Sequence, residues 1–168
     1  MATLKTKNVT KSGTILIAED DADDRFFLQQ AFSTLGFKGT MRFAYNGREV
    51  LSYLDQIKDP KQYPSLIIMD LNMPLLSGNL TLAELKKNRR YQSIHVVVFS
   101  SSMNEKEKIQ CLEMGAYAYF VKPDNSAQLL KIVQEFIDIS IDPPAIDNLD
   151  IPEHSLRFRF SSDHNRKN

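Results

Sequence analysis

The stretch Leu66-Ile67-Ile68-Met69-Asp70-Leu71-Asn72-Met73-Pro74 is an apolar run that stops on a carboxylate and then turns at a proline. Four apolar residues with no polar alternation read as a short strand buried on both faces, as in a parallel sheet. An acid at the end of such a strand needs partners, because an unpaired buried carboxylate is costly. Three other apolar runs end in polar residues that qualify. Ile15-Leu16-Ile17-Ala18 leads into Glu19-Asp20, Val96-Val97-Val98-Phe99 into Ser100, and Tyr119-Phe120-Val121 into Lys122. Polar groups at the carboxyl ends of parallel strands converge on one crevice.

Helical periodicity fills the intervals between these runs. Leu28, Ala31, Phe32 and Leu35 form one apolar stripe, and Val50, Leu51, Tyr53, Leu54 and Ile57 form a second. Further helices are expected across Leu80, Ala83, Leu85 and Lys87, from Glu105 to Met114, and over Leu129, Leu130, Val133, Phe136 and Ile137. Asp23 and Asp24 read as capping charge at the first helix, Asn104 as a cap and Ser126 as the cap of the last. A further short strand, Met41 to Tyr45, completes five strands alternating with five helices. That alternation predicts an α/β fold of three layers, with a five-stranded parallel sheet covered on both faces. A closed barrel would need eight such units.

A chain of 168 residues suits one domain with a remainder. Residues 1–12 read as a flexible N-terminus, 13–139 as the folded domain and 140–168 as a C-terminal extension that is partly disordered or packs on the domain or a partner. In that extension Ser155-Leu156-Arg157-Phe158-Arg159-Phe160 alternates polar and apolar. An edge strand, packing on a partner, and disorder until bound all remain open. Equal numbers of basic and acidic residues, 21 and 21, give no electrostatic case for nucleic-acid binding. Cys111, the one cysteine, leaves no intramolecular disulfide and reads as a small helix residue. No apolar stretch approaches the ~20 residues of a membrane span, and no hydrophobic core follows the N-terminal lysines, so a cytoplasmic protein is expected.

The strand ends carry the chemistry. Two carboxylates ~5 Å apart repel by about 3 kcal/mol at an effective dielectric of ~20. Either one of Glu19, Asp20 and Asp70 holds a proton or a cation sits among them. An all-oxygen site open to water favours Mg²⁺, with Mn²⁺ as a substitute, and the backbone carbonyl of Asn72 is placed to add a ligand. Lys122 adds positive charge and Ser100 a hydroxyl. Carboxylate nucleophile, divalent cation, lysine and hydroxyl make a phosphoryl-transfer site. The competing structural reading is a buried Asp–Lys ion pair that orients two loops; four polar strand ends together weigh against it.

These segments resemble the receiver domain of two-component response regulators. Ile15-Leu16-Ile17-Ala18-Glu19-Asp20-Asp21 is similar to the family's acidic-pair strand, and Met69-Asp70-Leu71-Asn72-Met73-Pro74 with Gly78 to its phosphoacceptor strand and loop. Val98-Phe99-Ser100-Ser101, Gly115-Ala116 and Tyr119-Phe120-Val121-Lys122-Pro123 complete the set, over about residues 13 to 139. The resemblance implies the flavodoxin-like doubly wound fold with strand order 2-1-3-4-5. It implies that Asp70 accepts a phosphoryl group from a histidine kinase or phosphotransfer protein. Asp20 would bind Mg²⁺ directly and Glu19 largely through water; Lys122 would contact the phosphoryl oxygens, and its bond to Pro123 would be cis. Ser100 resembles the switch hydroxyl and Tyr119 the switch aromatic, whose ring turns inward on phosphorylation.

A longer segment before Asp70, from Asp59 to Tyr63, resembles that of stand-alone regulators partnering phytochrome-like kinases. After residue 140 too little chain follows for a DNA-binding or catalytic domain, so output by protein contact is expected, through a downstream protein target or a homodimer to which the tail contributes. Two other classes compete: a pseudo-receiver that binds without being phosphorylated, and an aspartyl phosphatase. Asn72 stands where the phosphatase would place its general acid.

Overall fold

In a computed structural model the described residues are 13–143 and 155–156. The strands are β1 (Thr14–Ala18), β2 (Thr40–Ala44), β3 (Leu66–Met69), β4 (Val96–Ser100), β5 (Ala118–Val121) and β6 (Ser155–Leu156). The helices are α1 (Ala22–Thr34), α2 (Gly47–Gln56), α3 (Gly78–Lys87), α4 (Glu105–Glu113) and α5 (Ser126–Ile141), with a single 3-10 turn at Pro60–Gln62. The sheet order is β2-β1-β3-β4-β5-β6. The first five strands are parallel, in the doubly wound order 2-1-3-4-5, so their carboxyl ends share one edge.

β1, β3 and β4 lie inside the sheet, and every residue from Leu66 to Met69 and from Val96 to Ser100 is buried. Alternate side chains feed two cores. Leu16, Ile67, Met69, Val96 and Val98 pack with Leu54, Leu82, Leu85 and Leu112 on the side of α2, α3 and α4. Ile15, Ile17, Ile68, Val97 and Phe120 pack with Leu28, Phe32, Val133 and Phe136 on the side of α1 and α5. Phe136 meets Phe120 and Phe99 edge to face, with ring centroids 5.0 and 5.5 Å apart. Cys111 is buried in α4 and its thiol donates to Asn79 Oδ1 at 3.2 Å. Burial pushes its pKa up to about 11, which leaves it a protonated core residue at neutral pH.

Several expectations are corrected. The cap of α1 is Asp21, whose carboxylate accepts from the Asp23 and Asp24 amides, so Asp23 and Asp24 are not the capping side chains. Asn125, not Ser126, caps α5, and that helix runs to Ile141, two residues beyond the expected domain end. The helix expected across Leu80 to Lys87 is α3, which turns Thr81, Leu82 and Leu85 inward and leaves Leu80 58% exposed. There is no cis peptide bond among the described residues, so Lys122–Pro123 is trans, the isomer that X–Pro bonds prefer by about 0.5–1 kcal/mol.

Ser155–Leu156 takes the edge-strand option. It pairs antiparallel with β5, Tyr119 opposite Leu156 and Phe120 opposite Ser155. Residues 1–12, expected to be flexible, and most of the C-terminal extension, with its expected part in dimer or partner contacts, lie outside the described residues.

Candidate functional site

Backbone hydrogen bonds just past the strands fix the site residues to one another. The Glu19 amide donates to the Ala44 carbonyl, the Asp70 amide to Ala18 and the Lys122 amide to Ser100, each at 2.9 Å. The loop after β3 then turns sharply, with the Leu76 amide donating to the Pro74 carbonyl at 2.7 Å and Leu75 in the left-handed region at φ 63°. The Gly78 amide closes it onto the Leu71 carbonyl at 3.0 Å. α3 therefore starts directly against the Asp70–Leu71 backbone.

Lys122 occupies the centre of the acids. Its Nζ donates to Glu19 Oε2 at 2.7 Å, to Asp24 Oδ2 at 2.7 Å and to Asp70 Oδ2 at 3.0 Å. The Glu19 side chain is 2% exposed and that of Lys122 14%, so the contacts are largely shielded from water. The lysine ammonium is thus the cation that the clustered carboxylates require. Burial works against its charge, but the bonds to Asp24 and Glu19 outweigh burial and hold its pKa above the ordinary lysine value. Burial raises the pKa of Glu19 above the usual carboxylate value despite Lys122.

Asp70 is buried, with Oδ1 accepting from the Leu71 amide at 2.6 Å and from the Asn72 amide at 3.4 Å. Oδ2 faces Lys122. Asp20 is exposed, and its loop is held by Arg25, whose Nη1 donates to the Glu19 carbonyl at 3.0 Å and the Asp20 carbonyl at 2.7 Å. The Arg25 guanidinium rests 4.5 Å from the Tyr45 ring centroid, which braces it.

Glu19, Asp20 and Asp70 each offer a carboxylate oxygen within 4.8 Å of the others. Three hard oxygen donors at that spacing fit a divalent cation such as Mg²⁺ or Mn²⁺. Asn72, whose carbonyl was expected to add a ligand, is exposed two residues beyond Asp70.

Ser100 ends β4 fully buried, its Oγ accepting from the Ser102 amide at 3.4 Å. Tyr119 is already turned inward. Its ring is fully buried, and its hydroxyl donates to the Ser102 carbonyl at 3.0 Å. The structure therefore brings Glu19, Asp20, Asp70 and Lys122 together, joins Ser100 to Lys122 through the backbone, and adds Asp24. In a run of consecutive acids Asp24 looks like first-turn charge. No feature of the sequence separates it from its neighbours; its place in the first turn of α1 brings it to the lysine.

Comparison with known proteins identifies the family. The response regulator Rcp1 of Synechocystis sp. is 32% identical over 122 residues, 71% of this chain and 83% of that protein. The phosphorylated cyanobacterial phytochrome response regulator RcpA superposes with a TM-score of 0.71 at 28% identity, covering 80% of this chain and 98% of that one. The Mn²⁺-bound form of Rcp1 gives 0.69 at 29% identity, covering 79% and 97%. The response regulator receiver domain model matches residues 15–134, and the chain belongs to that family.

Proposed function

We propose that this protein is a single-domain response regulator that takes a phosphoryl group onto Asp70 and thereby changes its protein contacts. The observation that carries the reading is the single ammonium of Lys122 bonded at once to Glu19, Asp24 and Asp70. A structural ion pair needs one acid per lysine. Here one lysine is shared by a buried acceptor carboxylate and two further acids, an excess of negative charge suited to a metal ion that accompanies an incoming phosphoryl group.

The donor is a histidine kinase or a phosphotransfer protein carrying phosphohistidine. The Asp70 carboxylate attacks phosphorus, the phosphorus–nitrogen bond breaks and the imidazole leaves with the electron pair. Asp70 is preorganised for this by the amides of Leu71 and Asn72, which hold one carboxylate oxygen and leave the other toward the crevice. Lys122 neutralises charge gathering on the phosphoryl oxygens. Glu19, Asp20, Asp70 and the Asn72 carbonyl would hold Mg²⁺, with Mn²⁺ able to replace it; the ion, when bound, supplies further neutralisation of those oxygens.

Ser100 then donates its hydroxyl to the new phosphoryl group. That draws in the loop from residue 101 to 104, and with it the Ser102 carbonyl on which Tyr119 rests. The β4–α4 loop and α4 report the change. Similarity to the phytochrome response regulator RcpA supports a phytochrome-type kinase as donor. In this reading the domain spans residues 13–141 and the C-terminal tail serves a downstream partner or a second copy.

Incubation with acetyl phosphate and Mg²⁺ is expected to give a base-labile acyl phosphate, visible by intact mass, that Asp70→Asn abolishes. Equal labelling of Asp70→Asn would overturn the assignment. Truncation after Pro143 is expected to alter sedimentation or donor preference in phosphotransfer profiling; unchanged values in both would remove the tail from the account.

A further inference from the structure

We propose that Asp24 is a positioning residue that holds Lys122 and lowers the labelling of Asp70 by small anionic phosphodonors. The inference rests on Asp70 being the phosphoacceptor. Of the three acids on Lys122, Glu19 and Asp70 are buried and fixed by the strand-end hydrogen bonds. Asp24 differs from both. It comes from the first turn of α1 and its side chain is 39% exposed. The capping duty that would otherwise explain an acid there is discharged by Asp21. Its carboxylate instead turns to the lysine at 2.7 Å, as short a bond as Glu19 makes.

Charge and distance have two consequences. Two hydrogen bonds in series through one nitrogen put the Asp24 carboxylate within about 6 Å of that of Asp70. Any phosphoryl group arriving at Asp70 meets that negative charge. It also requires Lys122 to turn toward its oxygens, in competition with Asp24. A protein donor offsets this cost with contacts made elsewhere on its surface, because remote binding free energy can be applied to the reacting centre. A small donor has no such contacts. The opposition therefore falls on small donors, and more heavily on those with greater charge. For charges about 6 Å apart at an effective dielectric of about 40 to 80, as suits a carboxylate 39% exposed to water, the expected effect on rate is roughly threefold to tenfold.

The experiment uses the full chain at saturating Mg²⁺ and follows Asp70 labelling by intact mass. Acetyl phosphate is compared with phosphoramidate, which carries less negative charge at neutral pH. Asp24→Asn is expected to speed labelling by acetyl phosphate about threefold to tenfold and by phosphoramidate less, while Asp24→Glu restores the wild-type rate and the wild-type donor ratio. A merely structural ion pair predicts slower or unchanged labelling and no change in donor ratio. Unchanged or slower labelling of Asp24→Asn, equal acceleration with both donors, or an Asp24→Glu variant as fast as Asp24→Asn would each overturn the proposal while leaving Asp70 as acceptor. Absence of labelling in the wild type with both donors overturns the phosphoacceptor reading and this inference together.

Discussion

Replacing Gly78 with alanine tests how tightly the fold holds Asp70. A Cβ built on Gly78 would lie far inside contact distance of the Asp70 carbonyl oxygen, 2.8 Å from Leu71 Cα and 2.9 Å from the Asp70 carbonyl carbon. Ordinary contacts for such an atom are 3.4–4 Å. All three neighbours are backbone, so no side chain can rotate away, and α3 and the β3 end must part by about 1 Å. Overpacking of this kind costs about 3 kcal/mol, at the upper end of the usual range. In a domain of this size that lowers Tm by about 10 °C. A 1 Å displacement at the reacting group costs about 100-fold in rate.

Urea unfolding measures the first effect and acetyl phosphate labelling the second. Gly36→Ala is the control. Its φ of +70° places it in the left-handed region, but nothing lies within 4 Å of the added atom, so only about 1 kcal/mol of backbone strain and no loss of labelling are expected. A Gly78→Ala protein with the wild-type urea midpoint and labelling rate would refute the reasoning. So would equal damage from both substitutions.

Two further outcomes are expected. Mg²⁺ at ten times its Kd should stabilise the protein by about 1.4 kcal/mol in urea unfolding, and Asp20→Asn should remove most of that gain; a midpoint indifferent to Mg²⁺ would contradict the acidic cluster as a metal site. Burial and a hydrogen bond donated to Asp55 push the Tyr91 phenol from 10.0 up to about 12. Its folded value lies above its unfolded one, so the stability it contributes is complete below pH 10.0 and lost as pH rises toward about 12. The stability gap between wild type and Tyr91→Phe should therefore narrow across that window in urea titrations, and a constant gap would count against the assignment.

The sheet and the acids at its edge were legible because two simple rules coincide in this sequence. Short unbroken apolar runs rich in β-branched residues, such as Leu66–Met69, suit interior strands, and parallel strands deliver the residues at their carboxyl ends to one edge. Those rules account for Glu19, Asp70, Ser100 and Lys122. They do not reach Asp24, because adjacent acids in a helix start are chemically alike and only geometry decides which one caps and which one reaches a lysine. In α3 the helix was legible but its inward face was not, because Thr81 is buried while Leu80 is exposed. The alternation at Ser155–Leu156 was visible, but its partner strand lies more than thirty residues earlier, at Tyr119 and Phe120, and no local pattern selects it.

Lys122 and Glu19 meet across 103 residues of sequence. A nascent chain on the ribosome thus presents the first four strands, with their concentrated acids, before the balancing ammonium has been synthesised. Until β5 emerges those carboxylates have no lysine to share, and the loop closure that joins them is the longest one the site requires. On the proposed reading, competence to receive a phosphoryl group is in this way tied to completion of the domain: a prematurely released fragment ending before Lys122 would keep Asp70 and lack the ammonium bonded to it.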